Sequence, residues 1–163
     1  MSSSPTNFSV DLSKVAALGS MPAYSREALE AYQKYGLSSE DRLYYQLVSE
    51  MALETSAFKP GANLCVFGEA VSDAYIVRQG ELEVHTEGLI YRVGPGAVIG
   101  LAAGLANAPH NMTATAITVV TVSVIPIFKA LKAITTCHPG LRGINRSTVM
   151  RVLNLKAVPE SMK

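Results

Sequence analysis

Acidic residues are missing from almost the whole second half of this chain. Of thirteen Asp and Glu residues in 163, twelve lie at or before Glu87, and none falls between Gly88 and Pro159. That stretch still carries Arg92, Lys129, Lys132, Arg142, Arg146, Arg151 and Lys156. Either the two halves neutralise each other in the fold, or an electropositive surface draws an anionic ligand or partner. Other absences narrow the field. There are only two cysteines, Cys65 and Cys137, far apart and without a CxxC. With no secretion signal, two buried cytosolic thiols are expected, not a disulfide. No apolar run reaches the ~18 residues of a membrane helix, and the Ser-rich start from Met1 to Lys14 lacks the pattern of a signal peptide. No GxSxG, Walker loop or HExxH is present, and the three histidines and two cysteines lack ligand spacing. An enzyme and a metal site are therefore not expected, and neither is a membrane partner; the expected location is cytoplasmic.

What is present changes period twice. Residues 1–24 read as a flexible extension. Ser25 then precedes Ala28, Leu29, Tyr32 and Tyr35 at helical spacing, closed by Gly36. Ser38 or Ser39 caps a second helix with Glu40 and Asp41 in its first turn and the stripe Leu43, Leu47, Met51, Leu53. Tyr44 and Tyr45 are read as helix packing. From Phe58 short apolar runs stand between Gly, Pro and Asn: Leu64–Phe67, Ala74–Val77, Leu82–His85, Leu89–Val93, Met112–Ala116 and Val119–Ile125. Such strands argue for a small barrel or jelly roll. After Pro126 the helical period returns. Pro139-Gly140 breaks the chain, and Leu141, Ile144, Thr148, Val152 and Leu155 share one helical face before Pro159. The expected fold is α+β, mainly β. Helices occupy 25–55, a β roll 58–125, C-terminal helices 127–157 and a tail 158–163.

Three glycine motifs occur in order. Phe58-Lys59-Pro60-Gly61 leads to Phe67-Gly68-Glu69. Asp73 to Val84 reads aspartate, strand, Gly80, strand. Val93-Gly94-Pro95-Gly96-Ala97-Val98-Ile99-Gly100 follows. Gly61, Gly68, Gly80 and Gly96 fall where tight turns need positive φ. Over roughly residues 37 to 155, this order resembles the cyclic-nucleotide-binding domain of the catabolite-activator type. The resemblance implies a β jelly roll flanked by N-terminal helices and a C-terminal dimer helix. It also implies a phosphate cassette at Ile99–Ala116. In the family that cassette reads Phe-Gly-Glu, a short helical turn, then Pro-Arg-x-Ala-Thr. Here Gly100, Pro109 and Thr113 stand at the matching places. Leu101 stands at the family's sugar-binding glutamate, and His110 at its phosphate-binding arginine.

The candidate ligand residues, should the pocket be active, are Gly100, Leu101, Ala102, His110, Asn111 and Thr113. Backbone N–H groups at the start of a helix from Leu101 favour an anion whatever the side chains. The side chains favour it less. Leu101 accepts no hydrogen bond from a ribose, and His110 lacks the fixed fork and permanent charge of arginine. A charged hydrogen bond contributes about 1.5–3 kcal/mol, so its loss weakens binding by about one to two orders of magnitude. Cyclic AMP or cyclic GMP is thus expected to bind weakly. His110 reads either as a pH-sensitive anion contact or as a solvent-facing histidine after Pro109. Leu101 reads as an apolar filler of an unused pocket.

Three functions follow. The first is a degenerate regulatory module acting through protein contacts with an unidentified partner. The second is a sensor for a cyclic nucleotide or other anion in the modified cassette. The third is a nucleic-acid binder using Arg142, Arg146, Arg151 and Lys156, ranked last because such a row is usually a solvated face. The helix-turn-helix that follows the long helix in the family's transcription factors has no counterpart before Lys163, so no DNA-binding module is expected. A homodimer through the stripe Leu141, Ile144, Thr148, Val152 and Leu155 is expected.

Overall fold

Eight strands occupy the middle of the chain, several of them with alternating apolar and polar side chains. A computed structural model describes residues 9–18, 25–50, 52–135, 139–153, 155–157 and 159–162. The elements are α1 Leu12–Ala17, α2 Arg26–Lys34, α3 Ser39–Glu50, β1 Glu54–Phe58, β2 Asn63–Cys65, β3 Asp73–Gln79, β4 Leu82–Thr86, β5 Leu89–Val93 and β6 Val98–Ile99. They continue as α4 Leu101–Leu105, β7 Thr113–Ala116, β8 Val120–Pro126, α5 Ile127–Thr135, α6 Pro139–Leu153 and a final 3₁₀ turn Glu160–Met162. The strands form two antiparallel sheets, ordered β1-β8-β3-β6 and β2-β7-β4-β5. This is the mainly-β, α+β roll expected from the strand spacing.

Two cores follow from the period-two pattern. Between the sheets lie Leu64, Val77, Leu82, Val84, Ala114, Ala116, Val120 and Val122. Phe58 and Tyr75 close one end of that core edge to face, with ring centroids 5.4 Å apart. On the other face of the first sheet, Ala74, Ile76 and Ile125 meet Leu43, Leu47, Leu101, Leu105, Ala130 and Val149 from the helices. β3 and β8 therefore bury side chains on both faces. Tyr44 and Tyr45 are buried as helix packing.

The helix caps follow the sequence. Ser25 accepts from Ala28 N–H at 3.1 Å. Ser38 and Asp41 form a reciprocal capping box, 3.1 and 3.0 Å. Gly61, Gly68, Gly80 and Gly96 all have positive φ, between +85° and +96°.

Four local features differ from expectation. Residues 9–18 were assigned to a flexible extension, but Val10, Val15 and Leu18 are buried in the helix-side core. Asp11 caps α1 through Ser13 and Lys14 N–H. Its own N–H donates to Asp41 Oδ1 at 2.8 Å. The rest of 1–24 lies outside the described residues. β1 occupies 54–58, where the helical segment was expected to end, because an edge strand can carry polar residues with no alternation. Pro139-Gly140 opens α6 and does not merely break the chain, since proline suits a first helical turn. Finally, α6 ends at Leu153, so Leu155 lies past the helix. Cys137 and His138 lie outside the described residues.

Candidate functional site

The cassette is built between two strands. β6 brings the chain to Gly100, whose φ of +84° turns it directly into α4. All five residues of α4 are buried. Its C-terminal end closes through Ala106, Asn107 and Ala108 N–H groups, which donate to Ala102, Gly104 and Ala103 carbonyls. Small residues let α4 lie close to α5: a Cβ on Gly104 would stand 2.3 Å from Ile127 Cδ1. The chain then passes Pro109 and reaches β7.

The glycine turn at Phe67-Gly68-Glu69 holds the end of the cassette. His110 N–H donates to the Glu69 carbonyl at 2.9 Å, and Gly68 N–H donates to the His110 carbonyl at 2.9 Å. Phe67 N–H donates to Thr113 Oγ1 at 3.0 Å. Cys65 Sγ–H donates to the Met112 carbonyl at 3.4 Å. Thr113 thus has its hydroxyl engaged with backbone.

The side chains at the two altered positions face the fold. Leu101 is 1% exposed and belongs to the helix-side core, with Ala102 beside it. Leu101 was expected to fill a vacated pocket; the core it fills is the one beneath the helices. His110 is 7% exposed, which corrects the solvent-facing reading. Its ring lies against Gly100, where a Cβ would stand 2.8 Å from Cε1. Burial pushes its pKa below the ordinary 6.5, with the Glu69 carboxylate pulling the other way. Near neutral pH the ring is uncharged. Asn111 is exposed.

Beside the cassette a cavity of about 210 Å³ opens, lined by Ser9, Val84, Tyr91, Val93, Gly94, Pro95, Ala97, Val98, Ile99 and Met112. None of the six candidate ligand residues lines it, although Ile99 and Met112 are chain neighbours of Gly100 and Thr113. Val84, Tyr91 and Val93 were missed. Their signal was the alternation in β4 and β5, where Val84 and Tyr91 stand opposite in register. Among the described residues no group of His, Cys, Asp and Glu is placed to hold a metal ion.

The C-terminal stripe is used within the chain. Thr148 and Val149 are buried, and Val152 packs against the helix-side core. Asn145 Nδ2 donates to Gln46 Oε1 at 2.8 Å, joining α6 to α3. Leu155 is exposed. The side chains of Leu141 and Ile144 lie outside the described residues. Thr148, one residue of the stripe expected to face a second copy, is thus buried within the chain.

The cyclic nucleotide-binding domain family model matches residues 55–136. The chain belongs to the cyclic nucleotide-binding domain family. The match is narrower than the 37–155 span of the motif resemblance, and takes in the roll, the cassette and α5. Potassium channel KAT6 of Oryza sativa subsp. japonica is 35% identical over 79 residues, which is 45% of this chain and 13% of the channel. This domain therefore corresponds to a small part of that relative. Among solved structures, EAL enzyme Bd1971 in its cAMP-bound form superposes with a TM-score of 0.53 at 17% identity, over 61% of this chain and 28% of that one. The N-terminal domain of a transcriptional regulator from Streptomyces coelicolor A3(2) gives 0.51 at 20% identity, over 71% and 80%. At such identities these structures speak to the fold. No helix among the described residues is long and apolar enough to cross a membrane.

Proposed function

We propose that this chain is a non-enzymatic regulatory domain with a degenerate phosphate cassette, acting through contacts with a protein partner. One observation carries the reading: Leu101 and His110, at the family's ribose and phosphate positions, are both buried in the fold. A cyclic phosphate would meet a neutral imidazole behind Gly100 in place of a guanidinium fork. It would also meet no acceptor for the ribose hydroxyl. The surface supports protein contact. Phe128 is 72% exposed at the start of α5, near the open edge of β1. A homodimer through α6 would use what the chain leaves uncovered on that helix, since Thr148 and Val149 are buried within it. A nucleic-acid role is not favoured either. Arg146 Nε donates to the Met162 carbonyl at 2.7 Å, and Arg151 pairs with Glu40. A cytoplasmic location is supported by Cys65, a buried free thiol whose pKa burial pushes up to about 11.

Titration calorimetry with cyclic AMP and cyclic GMP tests the reading. No heat of binding is expected at micromolar ligand. A micromolar or tighter constant for either nucleotide overturns it and favours a cyclic-nucleotide sensor.

A further inference from the structure

A cleft of about 460 Å³ opens between α1, α3 and the helix-side face of the first sheet. No residue of the cassette lines it. Val15 of α1, Val48 of α3 and Leu53 give it apolar walls, and Arg78 is its one charged lining residue. The strand register explains why Arg78 and Ser123 meet there. Ser123 of β8 pairs with Ile76 of β3, and the next β3 residue on that face is Arg78, at the irregularity between Val77 and Gln79. Arg78 Nη1 donates to Tyr44 Oη at 3.2 Å. Burial pushes the Tyr44 pKa up, so the phenol stays neutral and leaves the guanidinium charge unbalanced. Among the described residues Arg78 makes no ion pair. Ser123 is 6% exposed, yet its hydroxyl makes no hydrogen bond to another described residue. A buried hydroxyl without a partner, beside an unpaired cation, calls for an acceptor from outside the chain.

We propose that this cleft binds a small amphiphilic monocarboxylate, its head on Arg78 and Ser123 and its tail against Val15, Val48 and Leu53. The guanidinium keeps free N–H groups in a fork that matches a carboxylate, and the Ser123 hydroxyl can donate beside it. One cation balances one negative charge, whereas a phosphate dianion would be left half-neutralised. A tail laid on the valines and Leu53 leaves water for apolar surface. The volume falls within the roughly 300–1,000 Å³ usual for small-molecule sites. Binding here does not depend on the state of the cassette. It would bear on the N-terminal segment, because α1 forms one wall and is tied to α3 by Asp11 N–H on Asp41 Oδ1.

Backbone amide NMR of the full chain tests this with three probes: octanoate, octan-1-ol and acetate. Octanoate is expected to give saturable shifts at the amides of Val15, Val48, Arg78 and Ser123. It is expected to bind at least about tenfold more tightly than octan-1-ol, which lacks the charge, and than acetate, which lacks the tail. Arg78→Gln is expected to weaken octanoate at least about tenfold and to leave octan-1-ol unchanged. No saturable shift at millimolar octanoate overturns the proposal. So do shifts confined to residues outside the cleft, or equal binding of either control probe. A folded Arg78→Gln that binds octanoate unchanged also overturns it. Where that variant does not fold, the three probes on the unaltered chain decide.

Discussion

Leu101 lies where a charged side chain would serve a ligand, and it serves packing instead. It is almost fully buried among the helices. Leu101→Ala is expected to destabilise the chain by about 2–5 kcal/mol, the ordinary range for such a truncation, read from urea unfolding. A change within about 0.5 kcal/mol would place the side chain outside the core. His110 gives a pH signature. Its folded pKa is depressed by burial, so below the ordinary value of 6.5 the unfolded chain binds more protons. Its contribution is fully present above 6.5 and is lost as pH falls through the folded pKa. Urea midpoints across this range should fall with pH in the parent and fall less in His110→Gln. The departures at 101 and 110 were legible in the sequence, because the neighbouring Gly100, Pro109 and Thr113 fix the frame. The burial of His110 was not legible. It depends on a long-range pairing with Gly68 and Glu69, while a histidine after proline has the local look of an exposed loop.

Among elements, α4 and the N-terminal segment carry the tightest constraints. Gly104→Ala would ordinarily favour a helix by about 1 kcal/mol. Here the added Cβ meets Ile127 Cδ1 at 2.3 Å and Cγ1 at 2.7 Å. A net loss of about 1–3 kcal/mol in urea unfolding is expected from overpacking. Gly96 has a φ of +95°, and a Cβ there would stand 2.3 Å from the Val10 carbonyl oxygen. Gly96→Ala should undock residues 9–18, and hydrogen exchange at Val10 N–H should accelerate while the β4 amides stay protected. Equal acceleration in both would mean global unfolding instead. Strands with apolar alternation, such as β3, β4 and β8, were readable. β1 was not, because Glu54-Thr-Ser-Ala presents exposed side chains and is a strand by virtue of pairing with β8. β6 is two residues long. α1 is short; Asp11 caps it locally, but its docking rests on burial of Val15 and Leu18, a tertiary effect.

Across the whole molecule, the acid-poor half is partly neutralised by the acid-rich one. Arg151 of α6 pairs with Glu40 of α3. Burial pushes that carboxyl up, but hydrogen bonding and charge from Arg151 hold it below its ordinary value. Arg92 stands opposite Glu83 in the β4–β5 ladder. The uneven charge along the chain thus becomes cohesion between terminal helices. The buried bond from Asn145 to Gln46 adds to it. Asn145→Ala leaves a buried amide short of a partner and is expected to cost about 1–3 kcal/mol in urea unfolding. An unchanged midpoint would mean that α6 is not docked by this contact. Helical spacing marked a helix after Pro139, but it did not say which of its residues would pack against the chain's own α3, α4 and α5, because spacing does not distinguish a partner copy from the same chain.

Under the proposed function, the cassette keeps its shape without its hold on a cyclic phosphate. The imidazole of His110 reports on this directly, since an anion in the cassette raises its pKa and an absent one leaves it to burial. Its titration should be followed by NMR with and without millimolar cyclic AMP. A pKa below the ordinary 6.5 is expected in both conditions, unchanged by the nucleotide. A rise on adding cyclic AMP would contradict it.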